Sequence, residues 1–120
     1  MIDYKNQVTF VKVESGEYRN EKTMTEQQNV NCLLIKSDSF AQAGFREGKD
    51  ADAILYVDPS NQFIQDNIAS LEGLYVLSTV FGTEWYRVGS YSVHKDHLLE
   101  NEIDNIELVL KRTRAIVGVS

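Results

Sequence analysis

The stretch Gly73–Arg112 restricts what this chain can fold into more than any other part of it. Apolar and polar positions alternate along three runs, Gly73–Phe81, Glu84–Val93 and Ile103–Lys111. A period of two is the mark of strands that bury one face. A tight turn joins the first two runs and an acidic loop the last two, which predicts an antiparallel meander. In the last run Ile106, Leu108 and Leu110 alternate with Glu107, Val109 and Lys111, giving one core face and one wet face. In the middle run Tyr86 and Val88 share one parity while Tyr91 and Val93 share the other, so the phase changes across Gly89-Ser90. One extra residue there, a β-bulge, returns all four side chains to one side, and glycine suits such a site.

Upstream, Gln7–Glu14 is rich in β-branched residues and predicts a first strand. Ser15-Gly16 supplies a turn, and Glu17–Thr23 reads as a short polar return or a loop. Asn29–Lys36 predicts a second strand whose Cys32-Leu33-Leu34-Ile35 run is apolar on both faces, as suits a strand enclosed in a barrel or sandwich. Ser39–Asp50 reads as an exposed loop, and Ala51–Asp58 as a third strand. Asp58-Pro59 resembles a helix start, with Asp as N-cap and Pro in the first turn. Ile64, Ile68 and Leu71 recur at helical spacing before Gly73, which predicts a helix of about three turns over Pro59–Glu72. The fold class expected is mainly β: one domain over residues 1–120, a small, partly open antiparallel barrel or sandwich with one short α-helix and long loops.

Charge and cysteine usage narrow the function classes. The formal net charge is −6, which disfavours general affinity for nucleic acid, since that comes from Lys and Arg neutralising phosphates. The single cysteine, Cys32, allows no intrachain disulfide and fits a reducing cytoplasm. The N-terminus has no apolar run behind a basic segment, so no signal peptide is expected. No segment approaches the length that crosses a bilayer, and no membrane partner is expected.

Residues that could carry chemistry are few. His94 and His97, with Glu100 and Glu102 beyond them, form the one group with metal-ligand character, and a small metal-dependent hydrolase would use His94, His97 and Glu100. Their spacing matches no specific metal motif, so neither metal nor cofactor is expected. The acidic run Asp96, Glu100, Glu102, Asp104 and Glu107 suits a solvated face that meets a basic partner better than a catalytic carboxylate pair, which needs a cleft to separate its pKa values. Cys32, inside an apolar run, reads as a small buried hydrophobe. Trp85 has the strand parity of Arg87, opposite to Tyr86. That suits either an interface anchor or the cover of a second apolar face. The glycines make no phosphate-binding pattern.

Four segments together resemble the phage head–tail connector proteins of the head-closure (stopper) type, often described as minor capsid proteins. They are Ala53-Ile54-Leu55-Tyr56-Val57, Gly73-Leu74-Tyr75-Val76-Leu77, Trp85-Tyr86-Arg87-Val88-Gly89-Ser90-Tyr91-Ser92-Val93 and Ile106-Glu107-Leu108-Val109-Leu110. The resemblance implies a partly open barrel with an inserted segment that projects into a ring. Copies stack under the portal complex, and the segment helps close the DNA channel until the tail docks. Asp58–Glu72 or Ser39–Asp50 would be that segment. The resemblance implies no enzyme and no catalytic residue. The partners would be portal, neck and tail proteins and further copies of the chain, without specific nucleic-acid binding, although DNA passes nearby. The chain would be found in the host cytoplasm during assembly and then in the virion. The surface residues expected to serve contacts are Trp85, Arg87, Asp96, Glu100, Glu102 and Asp104, with Phe63 and Ile64 on the candidate channel segment. The alternative class is a partner-binding or inhibitory barrel of prophage origin.

Overall fold

The computed structural model describes residues 3–15, 22–36, 51–96 and 102–115. The described elements are β1 (Asn6–Ser15), β2 (Lys22–Lys36), β3 (Ala53–Val57), α1 (Gln62–Asp66), β4 (Tyr75–Ser78), β5 (Glu84–Asp96) and β6 (Glu102–Arg112). The strands close into an antiparallel barrel in the order β1-β2-β3-β6-β5-β4. Closure depends on the short β4, which pairs with β5 on one side and, through Val8↔Ser78 to Val11↔Tyr75, with β1 on the other. The barrel is therefore closed where a partly open one was expected, and the seam at β4 leaves no free edge in the barrel wall.

Inside lie Phe10, Val30, Cys32, Leu34, Leu55, Val57, Val76, Tyr86, Val88, Ile106, Leu108 and Leu110, all buried. The Gly89 bulge is present: Val88 pairs with Leu110 and Ser90 with Val109, so Gly89 has no opposite number. Tyr91 and Val93 consequently face the core with Tyr86 and Val88 and pack against it. The double-sided apolar run of β2 also has its counterpart. Ile35, Ile54, Tyr56 and Val109 pack with Ala51 in a second, smaller cluster separate from the main core.

Two expectations are corrected. The helix is Gln62–Asp66 rather than 59–72, and its N-cap is Asn61, whose Oδ1 accepts from Ile64 N at 3.2 Å. Asp58 instead closes a turn, its Oδ1 accepting from Ser60 N at 2.9 Å and from Ser60 Oγ at 2.7 Å. The helix ends at Asn67, whose backbone N and Nδ2 both donate to Phe63 O, at 3.2 and 2.8 Å. The second correction is β2, which begins at Lys22 and not at Asn29. Residues 23–29 are all exposed, so no alternation marks them, and they are a strand because they pair with β1. Asn29 sits at φ 58°, and the register slips there by one residue between Val8↔Val30 and Phe10↔Gln27. Asparagine is among the few non-glycine residues that accept this region.

Strand directions define two ends. The β1–β2 turn, the β5–β6 turn, α1 and the start of β4 lie at one end; the ends of β2, β4 and β6 and the starts of β1, β3 and β5 lie at the other. At the first end α1 acts as a plug. Ile64 and Leu71 are fully buried, and Phe63 meets Phe10 with ring centroids 6.1 Å apart. Asn67 is buried beside them, and its Oδ1 accepts from Lys12 Nζ at 2.9 Å.

Candidate interaction surface

Beyond the barrel wall, two ribbons extend at the plugged end. β1 pairs with β4 only over residues 8–11, yet its ladder with β2 runs on to Ser15↔Lys22. β3 pairs with β6 only as far as Ile106, yet the β5–β6 ladder runs on to Asp96↔Glu102. In the first ribbon every described side chain of residues 23–29 is exposed. The second carries His94, Lys95 and Asp104 in solvent.

The opposite end holds a buried carboxylate paired with two cations that reach solvent. Glu84 shares the inward parity of Tyr86 and Val88, and its side chain is only 7% exposed. Lys36 Nζ stands 3.0 Å from its Oε1 and donates to Oε2 at 3.3 Å, while Arg112 Nη1 lies 3.5 Å from Oε2. Burial pushes the Glu84 carboxyl up, but the Lys36 hydrogen bond and charge, the Tyr86 hydroxyl and the Arg112 charge outweigh it and hold the group below its ordinary value. The Tyr86 hydroxyl is buried close to this carboxylate without meeting hydrogen-bond geometry, and desolvation followed by the Glu84 charge pushes it up to about 12. Lys36 also sits 5.4 Å from the ring centre of the exposed Phe81. This arrangement ties β2, β5 and β6 together. It offers no nucleophile or open cavity among the described residues, and its chemistry is structural.

On the outer wall, a shallow groove of about 340 Å³ is lined by Glu72, Gly73, Arg87, Val88, Gly89 and Lys111. Arg87 and Lys111 are directly opposite in the β5–β6 register, and Arg87 lies 5.7 Å from the ring centre of Tyr75.

The residues expected at contacts separate into two sets. Arg87 and Asp104 are exposed, and Asp96 and Glu102 close the β5–β6 ladder. Glu100 and His97 lie outside the described residues, as does the Ser39–Asp50 loop. Phe63 and Ile64 are corrected: they belong to the plug and the core, so that segment is seated in the barrel end and does not stand free. Trp85 faces away from the core by parity but is only 9% exposed, so it is not a projecting anchor. His94 is half exposed and lies 3.8 Å from Glu107, and no group of three or more His, Cys, Asp or Glu side chains among the described residues could hold a metal ion. Cys32 is fully buried and its thiol is pushed up to about 12 by desolvation, as a small core hydrophobe would be.

Sequence reading passed over Glu84, Lys36, Lys111 and Arg112. Glu84 had a visible signal, being a carboxylate on the inward parity of its own strand. Lys36 and Arg112 had none, since only the barrel brings strands distant in sequence to one end. No family model, curated protein or solved structure matches the chain.

Proposed function

We propose that this chain is a non-catalytic structural protein of the phage head–tail junction, a head-closure or neck component that works as one copy in a ring. The observation that carries the reading is the β1–β2 ribbon. In this ribbon residues 23–25 are exposed opposite the half-buried Lys12 and Val13 and the exposed Glu14, and among the described residues β2 pairs with β3 only from Cys32 onward, so its earlier residues have no second strand partner there. Such an edge is satisfied by a neighbouring chain. The β5–β6 ribbon rises from the same end, so each copy offers two ledges to whatever docks there, as a stacked ring requires. A core filled by side chains suits a spacer better than a catalyst, which needs a concave site. The net charge of −6 suits a channel wall along which DNA slides. On this reading the partners are portal, neck and tail proteins and further copies. The chain is made in the host cytoplasm and carried in the virion.

The test is location. Genes for portal, capsid and tail proteins should flank this one, and mass spectrometry of density-banded particles should find the chain, with antibody label at the neck. Particles of the right genome that lack it would sink the proposal. The same free edge favours a second reading, a prophage-borne module that captures one partner by strand addition. That reading expects a one-to-one complex and no copies in particles.

A further inference from the structure

The groove on the outer wall gathers two cations and one carboxylate. Arg87 and Lys111 are exposed and directly opposite each other across β5 and β6. Side chains so placed start about 5 Å apart, so like charges repel there and one small anion can reach both. Among the described residues neither cation has an ion-pair partner within 4.0 Å; Glu72 lines the groove without reaching that distance. Asp52 is the nearest acid along β3, but its Oδ2 accepts from Arg112 N at 2.7 Å and it does not line the groove. Both cations lie over glycine. Arg87 Nη2 is 3.7 Å from where a Cβ at Gly73 would stand, and Lys111 Cγ is 3.9 Å from where one at Gly89 would stand. The floor between them is therefore backbone, open to an approaching group. The ring of Tyr75, its centre 5.7 Å from Arg87 Cζ, steadies the guanidinium.

We propose that this groove binds a carboxylate presented by an acidic segment of a partner protein. Arg87, Lys111 and Glu72 together leave one positive charge, which a single Asp or Glu side chain neutralises. A phosphate dianion or a nucleic-acid backbone would bring surplus negative charge to a chain already at −6. Arg87 supplies a planar fork that takes both carboxylate oxygens, and Lys111 a point charge beside it. The groove is shallow, so it does not enclose a free small acid, and the rest of the binding comes from chain flanking the carboxylate. It serves such a partner whether or not the chain belongs to a virion neck.

The experiment titrates the full, isotopically labelled chain with an end-capped hexaglutamate peptide at low ionic strength, followed by NMR. Saturable shifts should centre on Gly73, Arg87, Gly89 and Lys111, and salt should weaken the binding. Arg87→Gln/Lys111→Gln should bind at least about tenfold more weakly. Lys5→Gln/Lys95→Gln removes the same charge from exposed positions elsewhere and should change affinity by less than about twofold. Glu72→Gln should tighten binding about threefold, and Glu26→Gln, exposed on β2, should not. The remaining amide resonances report that each variant is folded. Absence of saturable shifts at about 10 mM peptide overturns the proposal. So do shifts that survive Arg87→Gln/Lys111→Gln, or a loss matched by Lys5→Gln/Lys95→Gln. A hexaglutamine peptide that binds as well removes the carboxylate from the account. Tighter binding of inorganic phosphate or duplex DNA makes this a phosphate site, and glutarate bound as tightly as the peptide makes it a site for a free acid. Self-association through Arg87 and Lys111 makes the occupant a second copy. Each of these three overturns the acidic segment of a partner.

Discussion

At the scale of single residues, the barrel places one carboxylate where apolar side chains are the rule. Glu84 is held by Lys36 and Arg112, both of which reach solvent, so replacing it does not strand either cation in the core. Glu84→Gln should cost about 1–2 kcal/mol at pH 7, read from urea midpoints. The pH dependence follows from the lowered carboxyl. Its stabilising contribution is complete above the unfolded value of 4.5 and is lost as pH falls below it through the folded value. Glu84→Gln should flatten that acid limb. An unchanged limb in the variant would refute the assignment. Two glycines give a paired prediction. Gly73 has φ +91°, and a Cβ there would meet nothing closer than Arg87 Nη2 at 3.7 Å, so the cost of Gly73→Ala is in the backbone, about 1–2 kcal/mol. Gly89 has no such φ, and its Cβ would come no nearer than 3.7 Å to Val109 O. Gly89→Ala should change stability by less than about 0.5 kcal/mol, although Gly89 is the bulge residue. Thermal melts of both variants decide this.

At the scale of elements, α1 and the β1–β2 ribbon are opposites. The helix is too short to persist alone and exists because Ile64 and Phe63 fit the barrel end. Ile64→Ala should therefore cost about 2–4 kcal/mol in chemical denaturation. A contact residue would lower binding and leave stability unchanged. Among the described residues the first half of β2 is held by one ladder, to β1, and its side chains 23–29 are exposed. Amides of residues 23–28 should exchange with solvent within the range of local opening, while those of Leu34 and Leu55 should require global unfolding. Hydrogen exchange in the isolated chain and in any assembly checks this, with protection of the ribbon expected only in the assembly. Equal protection of ribbon and barrel in the isolated chain would remove the main support for a docking role.

At the scale of the whole molecule, closure makes each strand depend on two neighbours. Unfolding should be a single transition. The fluorescence of Trp85, the one tryptophan, and far-UV circular dichroism should give the same urea midpoint, and separated midpoints would mean that the seam at β4 opens first. The core strands, the bulge at Gly89 and the burial of Cys32 were legible in the chain, because periodicity of two and an apolar run report directly on which face meets the core. The first half of β2 was not legible, since a wet ribbon has no hydrophobic period. The helix was overextended because Ile64, Ile68 and Leu71 keep helical spacing past Asn67, where the helix ends. By itself the sequence determined the strand faces and the sign of the net charge, which depend on neighbours within a few residues. Only the tertiary structure decided closure through β4, the meeting of Glu84 with Lys36 and Arg112, and the pairing of Arg87 with Lys111 across β5 and β6. Those depend on register between strands far apart in the chain, which no local pattern encodes.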